Sequence, residues 1–272
     1  GLYRADHGEI KIDGQPYAIK GPSDAIRMKI GMVHQHFMLI PVFSVIENVM
    51  LGEEPTGNFG KLNVDLVRQR IREISEAHHL RVDPDSIVET LPVGVQQRVE
   101  IIKALYRDCR LLILDEPTAV LTPQEAIELF EILKSLKENG TSVVFITHKL
   151  NEVMAISDKI TVMRQGKVVG QTCPQETSVA ELATLMVGRS VNLTVQKKPS
   201  IPGKIVLEVE KMSVHDRRNQ VVIDEISFQV KSGEIVVVAG VQGNGQTELV
   251  ETLLGLRKMS SGTILINEKV IH

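Results

Sequence analysis

The sequence predicts an α/β fold with a mostly parallel central sheet. Three short, continuous apolar runs, at residues 111–114, 143–146 and 235–238, have the length and composition of strands that are buried on both faces. Amphipathic segments with helix-capping signals separate these runs. Strands that alternate with helices in this way are typical of a parallel sheet covered by helices, and a long internal repeat indicates that the arrangement occurs twice.

Capping boxes mark the starts of three helices. In each box a Ser or Thr is followed three residues later by Glu, and the boxes begin at Ser44, Thr122 and Ser178. Proline follows Thr122, and proline favours the first helical position. We expect the helix after Thr122 to end near Asn139-Gly140, because glycine is favoured just past a helix C-terminus.

Two further segments have a clear pattern. Residues 64–80 carry apolar side chains at helical spacing, which predicts an amphipathic helix with one buried face. Residues 159–171 contain two short strand-like runs that flank Gln165-Gly166, and this pattern predicts a β-hairpin.

The composition indicates a globular protein and excludes several functional classes. The chain has 272 residues, of which 43% are hydrophobic and 24% charged, and its formal net charge is −3. Because positive and negative charges are nearly balanced, general nucleic-acid binding through a basic face is not expected. The two cysteines, Cys109 and Cys173, are too few for a disulfide framework or a four-ligand zinc site. No apolar run approaches the roughly 20 residues that span a bilayer.

The internal repeat indicates two tandem domains. Residues 1–13 resemble residues 255–267, and 254 residues separate Gly1 from Gly255. A repeat with so long a period is typical of duplicated domains rather than of a solenoid.

We therefore expect a first domain over residues 1–190, a proline-bearing linker over residues 191–203, and a second domain over residues 204–272. On this interpretation the chain begins inside the first domain and stops inside the second. Residues 204–272 either complete the first domain or form a separate body. We favour the first arrangement, because it would cover exposed strand edges.

A glycine-rich turn follows the apolar run at residues 235–238 and precedes a helical segment. Its spacing is that of a phosphate-binding loop, and the candidate nucleotide-binding residues are Gly240, Gly243, Asn244, Gly245, Gln246 and Thr247. Glycines let backbone N–H groups surround phosphate oxygens, and the helix N-terminus adds positive potential. Thr247 holds the position at which a hydroxyl joins a Mg²⁺ shell. Gln246 replaces the usual lysine, so a neutral amide takes the place of the cation that contacts the β- and γ-phosphates.

Two carboxylates end the apolar run at residues 111–114. Asp115 and Glu116 are thereby expected at the carboxyl edge of a central strand, where ligands bind in open α/β sheets. Asp115 suits Mg²⁺ binding, and Glu116 suits the polarisation of an attacking water.

A third motif precedes the acidic strand and opens a helix. Residues 91–100 are Leu-Pro-Val-Gly-Val-Gln-Gln-Arg-Val-Glu. This stretch resembles the Leu-Ser-Gly-Gly-Gln signature motif of ATP-binding cassette (ABC) ATPases. The matching signature positions are Pro92, Val93, Gly94, Val95 and Gln96.

Further marks of this family occur in the family's order. Gln35 resembles the Q-loop glutamine, residues 119–122 resemble the D-loop, and His148 resembles the switch histidine that follows a strand. The order of Q-loop, signature, acidic strand and histidine is specific to ABC ATPases, and the resemblance covers the whole chain.

The resemblance implies a fold, an activity and a set of site residues. It implies a P-loop NTPase fold with a helical subdomain and an antiparallel β subdomain, ATP and Mg²⁺ as cofactors, and ATP hydrolysis. The implied catalytic residues are Glu116, His148 and Gln35, and the implied metal-shell residues are Asp115, Gln35 and Thr247. A P-loop precedes the opening Gly-Leu segment in the family, so we expect this chain alone to hydrolyse little or no ATP.

The departures from the family pattern fall in one composite site. Such ATPases pair the P-loop of one domain with the signature of the other. Here Pro92 replaces the serine that would meet the γ-phosphate, and the P-loop facing it has Gln246 in place of lysine. We therefore expect one weak, mostly structural nucleotide site and one hydrolytic site.

Tandem domains with Gly-Asn-Gly-Gln in the second P-loop resemble bacterial importers for ribose-type sugars and nucleosides, and residues 33–39 favour the nucleoside branch. The implied partners are integral membrane permease subunits and an extracytoplasmic solute-binding protein or lipoprotein, with no nucleic acid. The implied location is the cytoplasmic face of the membrane, peripherally attached. The alternative is a soluble tandem ABC ATPase acting on ribosomes or nucleic acid. The short linker and slightly negative charge argue against it.

Overall fold

The computed structural model describes residues 1–3, 5–55, 62–189, 201–216, 219–240 and 243–271. The chain divides into two compact units, residues 1–191 and 192–272, which are described separately below. Residues 191–200 of the expected linker lie outside the described residues. Within the described ranges, no helix has both the length and the apolar composition needed to cross a membrane.

The first unit contains seven strands and seven helices among its described residues. In chain order they are β1 (Ile10–Ile12), β2 (Gln15–Tyr17), α1 (Pro22–Arg27), β3 (Ile30–Val33), α2 (Val45–Met50), α3 (Val64–Ala77), α4 (Val93–Tyr106), β4 (Leu111–Asp115), α5 (Pro123–Glu138), β5 (Ser142–Ile146), α6 (Leu150–Ile156), β6 (Ile160–Arg164), β7 (Lys167–Thr172) and α7 (Val179–Val187).

A parallel sheet of order β3-β4-β5 forms the centre of this unit. Its register places Val33 beside Leu114 and Leu114 beside Phe145, so the carboxyl ends of the three strands meet at one edge. Val33, Leu112 and Leu114 are buried in one core with side chains from α2, α3, α4 and α5. The predicted parallel sheet is therefore confirmed for β4 and β5. The expected burial on both faces is wrong for β5, because Val143 and Phe145 pack on the core while Val144 and Ile146 are 44% and 46% exposed.

The local helix and hairpin predictions are confirmed as well, except that the helix expected over residues 64–80 ends at Ala77, and His79 has a φ of 57°. Ser44, Thr122 and Ser178 each accept a hydrogen bond from the backbone three residues on, and the Glu at that position completes each capping box. The helix after Thr122 ends at Glu138 with Asn139 as its C-cap. Strands β6 and β7 form the predicted antiparallel hairpin.

The second unit is built on an antiparallel sheet. Its elements are β8 (Ile205–His215), β9 (Val221–Lys231), α8 (Gln246–Leu253), β10 (Ser261–Ile266) and β11 (Lys269–Ile271), and the sheet order is β11-β10-β8-β9. Helix α8 contributes Leu249 to a small core with Val209, Met212 and Ile264. This sheet agrees with the expected antiparallel β subdomain.

The expected strand at residues 235–238 is wrong. These residues form no strand, and Ile235 and Val237 are 82% and 78% exposed. An apolar run becomes a buried strand only where neighbouring strands take up its backbone hydrogen bonds. In the described part of the second unit, the sheet is antiparallel and none of its strands pairs with this run.

The internal repeat has a structural counterpart in two hairpins. In the β1–β2 hairpin Ile10 pairs with Tyr17, and in the β10–β11 hairpin Ile264 pairs with Ile271, which is the same register displaced by the repeat. Both hairpins turn on two residues with positive φ, Asp13-Gly14 and Asn267-Glu268. These values are typical of the tight turn that suits the twist of two antiparallel strands.

Candidate functional site

The carboxyl edge of the central sheet gathers the candidate catalytic residues of the first unit. Asp115 is the last residue of β4 and pairs with Ile146, the last residue of β5. Glu116 follows β4 directly, while His148 and Gln35 each lie two residues beyond the ends of β5 and β3. The parallel register of the sheet therefore places all four candidates along one edge.

Glu116 and His148 are in direct contact. The Nδ1 atom of His148 lies 3.0 Å from Oε1 of Glu116. The backbone N–H of Glu116 donates to the carbonyl of Ile146 at 2.9 Å, which fixes the start of the turn after β4 against the end of β5. His148 is exposed and Glu116 only partly so. The pair thus presents a carboxylate and an imidazole to a ligand at the sheet edge.

The turn that carries Glu116 is strained and anchored. Glu116 has a φ of 45°, a left-handed conformation that residues with side chains seldom adopt and that persists where the surroundings impose it. The buried Gln97 of α4 donates its side-chain amide to the carbonyl of Pro117 at 2.8 Å. Gln97 was not among the predicted site residues, although it directly follows the signature positions.

The signature residues form the start of α4. Pro92 is the N-cap and supplies no side-chain hydrogen bond, consistent with its lack of a hydroxyl. Gln96 donates its side-chain amide to the carbonyl of Leu91 at 2.9 Å. A Cβ at the buried Gly94 would lie 2.5 Å from Oε1 of Glu125, so a larger residue would displace the Glu125 side chain that caps α5. Val93 and Val95 are the other two signature residues on this first turn.

The backbone that follows Gln35 is held by two helices. On α4, Lys103 donates to the carbonyl of Met38 at 3.1 Å, and the carboxylate of Glu100 accepts the N–H of Met38. On α2, the buried Asn48 exchanges two hydrogen bonds with the backbone of Ile40 at 2.7 and 3.0 Å. Burial raises the pKa of the Glu100 carboxyl above its usual value, against weaker opposing effects from Lys103 and the Met38 N–H.

The glycine-rich loop of the second unit precedes α8 as predicted. Gly243 and Gly245 both have a φ near 90°, at 89° and 88°, and Gly245 is the N-cap of α8. A Cβ at Gly245 would lie 2.7 Å from the carbonyl of Val222, so glycine is required there. The side-chain amide of Gln246 lies against Gly240.

Other parts of this loop are open. Asn244 is exposed, and Thr247 is an exposed residue in the first turn of α8. Residues 241–242 of the motif lie outside the described residues. Open glycine loops at helix N-termini suit phosphate groups, so the described residues fit a nucleotide phosphate.

The donor set at the sheet edge fits a nucleotide-bound Mg²⁺. Among the described residues there is no group of three His, Cys, Asp or Glu side chains that could hold a metal ion. Mg²⁺ that arrives with a nucleotide needs only one or two protein ligands, because phosphate and water fill its other positions. The partly buried Asp115 can supply one such ligand.

The chain is similar over its whole length to several known ATP-binding proteins. The chain is 45% identical over 273 residues to the nucleoside import ATP-binding protein NupA of Lactococcus lactis. It is 46% identical over 272 residues to the guanosine import ATP-binding protein NupO of Bacillus subtilis. It is 44% identical over 294 residues to the glucose import ATP-binding protein TsgD13 of Haloferax volcanii. The alignments cover 98–100% of this chain and 53–54% of those proteins, so the chain spans about half their length.

A solved structure shows a similar fold, and a family model matches much of the chain. The fold is similar to the ADP conformation of MJ1267, an ATP-binding cassette of an ABC transporter, with a TM-score of 0.59 and 23% identity. That comparison covers 70% of this chain and 80% of the other. The family model described as ABC transporter matches residues 1–119 and 223–272. The family model matches more than half of the chain and includes Gln35, Asp115, Glu116 and the glycine-rich loop, and the chain therefore belongs to the ABC transporter family of ATP-binding proteins.

Proposed function

We propose that this chain is part of an ATP-hydrolysing subunit of an importer that takes up nucleosides or simple sugars. The observation that carries the proposal is the contact between Glu116 and His148, 3.0 Å apart at the carboxyl edge of the central sheet. Parallel sheets bind ligands at this edge, and a carboxylate beside an imidazole suits the activation of water next to a phosphate.

The proposed mechanism assigns each residue a role at a stated atom. Bound ATP supplies the phosphoryl group, and Mg²⁺ supplies neutralising charge. The Glu116 carboxylate accepts a hydrogen bond from water and orients it. Its contact with Nδ1 of His148 leaves the opposite ring nitrogen to meet a phosphate oxygen. Asp115 and Gln35, near the ends of β4 and β3, would hold the Mg²⁺ that accompanies the nucleotide.

The proposed partners are integral membrane permease subunits and an extracytoplasmic solute-binding protein or lipoprotein, with the chain attached peripherally at the cytoplasmic face of the membrane. Two features support a docking segment just after Gln35. Met38 and Val42 are 61% and 67% exposed, while their backbone neighbourhood is held by α2 and α4. A rigid backbone that presents apolar side chains suits a protein partner.

The names of the similar proteins support nucleosides or simple sugars as the solute, since two of them are nucleoside or guanosine importers and one is a glucose importer. They favour an importer over a tandem ATPase that acts on ribosomes or nucleic acid. The solute bound by the partner receptor would identify the transported compound.

Two substitutions test the proposed hydrolytic site and the proposed asymmetry. In the complete two-cassette protein, Glu116→Gln should abolish steady-state ATP turnover, because the amide cannot polarise water as the carboxylate does. Gln246→Ala should leave most of the turnover, because a site without lysine is proposed to be structural. Phosphate release measured with permease present provides the readout. Equal losses in the two variants would contradict the asymmetry, and unchanged turnover in Glu116→Gln would contradict the proposed function.

A further inference from the structure

A hydrogen-bond network links the turn after β4 to the start of α6. Thr118 is only 1% exposed, and its hydroxyl lies 2.7 Å from both carboxylate oxygens of Glu152. Lys149 donates its ammonium group to the carbonyl of Thr118 at 2.8 Å and to the hydroxyl of Thr118 at 3.1 Å. Both the backbone and the side chain of Thr118 are thus held by hydrogen bonds.

The network also includes the residue before His148. The hydroxyl of Thr147 donates to Glu152 at 3.3 Å and accepts the backbone N–H of Lys149 at 3.0 Å. Lys149 and Glu152 form an ion pair at 3.2 Å, and the Glu152 side chain is 13% exposed. A largely buried carboxylate is stable only when its charge and its lone pairs are satisfied, and this network satisfies them.

The two ends of the network flank the two candidate catalytic side chains. Thr118 lies two residues after Glu116, while Thr147 and Lys149 lie on either side of His148. Glu116 has a φ of 45°, which is unfavourable for a residue with a side chain. Its turn therefore needs anchors beyond Gln97, and the Thr118 network supplies them on the side that faces α6.

We propose that Thr118, Lys149 and Glu152 are positioning residues for ATP hydrolysis. They fix the turn that carries Glu116 relative to the loop that carries His148, and so maintain the contact between the two side chains. They act through the backbone and contact neither the nucleotide nor the attacking water. This inference rests on the proposed function, which makes Glu116 and His148 catalytic.

The proposal predicts a loss of turnover with little change in nucleotide affinity. A small displacement of the carboxylate that orients water slows the chemical step, and a displacement near 1 Å costs up to about 100-fold. We expect Thr118→Val to lower kcat by about 10-fold or more. Thr118→Ser, which keeps the hydroxyl, should restore most of kcat. The kcat of Glu152→Gln should lie between those of Thr118→Val and Thr118→Ser, because glutamine keeps a hydrogen-bond acceptor but loses the ion pair with Lys149.

The experiment measures kcat and KM for ATP in the complete two-cassette protein with its permease. The matched control is Glu131→Gln on α5, which removes an exposed carboxylate that also pairs with a lysine three residues away, at 2.8 Å. Hydrogen–deuterium exchange of the Glu116 amide is measured in parallel. This amide is hydrogen-bonded to the carbonyl of Ile146. It should exchange faster in Thr118→Val, whereas its exchange rate in the control should equal that of wild type.

Three results would overturn the proposal: kcat of Thr118→Val within about twofold of wild type, an equal loss in Thr118→Ser, or unchanged Glu116 exchange despite lower kcat. Glu116→Gln is assayed beside them. If that variant retains turnover, the proposed function fails and the inference fails with it. If Glu116→Gln is inactive and Thr118→Val is fully active, the positioning inference fails alone.

Discussion

At the scale of single residues, the first unit contains two placements that are unfavourable in isolation. Glu116 has a left-handed backbone conformation, and Glu100 is a carboxyl that is 4% exposed. Both are held by hydrogen bonds from neighbouring elements: Gln97 anchors the turn of Glu116, and Glu100 accepts the N–H of Met38. Strain and buried charge of this kind persist only where surrounding structure compensates them, and both residues lie next to the candidate site or its Q-loop segment.

Glu100 should make the stability of the chain depend on pH. Its Oε1 atom is buried without a hydrogen-bond partner, and burial raises the pKa of the folded carboxyl above its usual 4.5, despite the nearby charges of Lys103 and His34. Between 4.5 and the raised value, the folded chain retains a proton that the unfolded chain has lost. Stability contributed by this group therefore falls as pH rises through that window.

Glu100→Gln tests this effect, because glutamine keeps an acceptor for the Met38 N–H and cannot ionise. The free energy of unfolding of the variant relative to wild type should increase as pH rises from 4.5 through the window. Urea denaturation of both chains at several pH values provides the measurement, with the exposed Glu131→Gln as control. A difference between Glu100→Gln and wild type that does not change with pH would contradict the raised pKa.

The residues of the candidate site were only partly predictable. Asp115, Glu116 and His148 lie within two residues of the ends of apolar runs, so the sequence places them near a strand end without further information. Thr118 and Glu152 are different, since 34 residues separate them and each is an ordinary polar residue in sequence. Their contact depends on the register of β4 against β5, which local patterns do not determine.

At the scale of elements, the two repeated hairpins differ in how well their turns fit. Asp13-Gly14 has glycine at the second position, where φ is 76°. Asn267-Glu268 has glutamate there, with a φ of 64°. Glycine populates positive φ readily, whereas a side chain with a Cβ makes this conformation costly. The repeat therefore identifies Glu268 as a position at which the residue of the second hairpin fits the turn conformation less well than glycine does in the first.

Glu268→Gly should stabilise the β10–β11 hairpin by about 0.5–1 kcal/mol, because relief of backbone strain exceeds the added entropy of the unfolded glycine. Hydrogen exchange of the amides in β10 and β11 measures the change. Glu268→Ala is the matched control, since it removes the same charge and retains a Cβ. An equal gain in both variants would show that the side chain, rather than the backbone conformation, limits the turn.

Elements with local signals were predictable, whereas an apolar run alone did not reveal whether neighbouring strands would pair with it. The helix after Thr122 has its cap, its proline and its terminator within its own sequence, and its bounds agree with the structure. Residues 235–238 are as apolar as residues 111–114, yet only the latter form a strand. The difference lies in pairing, because β4 has a parallel neighbour on each side while the described second unit offers none to residues 235–238.

At the scale of the whole molecule, the candidate residues are divided between two units. Gln35, Asp115, Glu116 and His148 belong to the first unit, and the glycine-rich loop belongs to the second. The chain spans about half the length of the importer ATP-binding proteins that it matches, and the glycine-rich loop of its second unit has Gln246 at the lysine position. The assignment of residues 1–190 and 204–272 to tandem domains remains a prediction.

The isolated chain should therefore show little or no Mg²⁺-dependent ATP hydrolysis. Its only glycine loop with phosphate-binding spacing has Gln246 at the lysine position, so the charge that develops on the transferred phosphoryl group lacks its usual cation. We expect phosphate release by the purified chain to match that of its Glu116→Gln variant within about twofold, at saturating ATP. Far-ultraviolet circular dichroism of both proteins checks that each is folded. Robust release that requires Mg²⁺ and disappears in Glu116→Gln would show that residues of this chain alone complete a hydrolytic site.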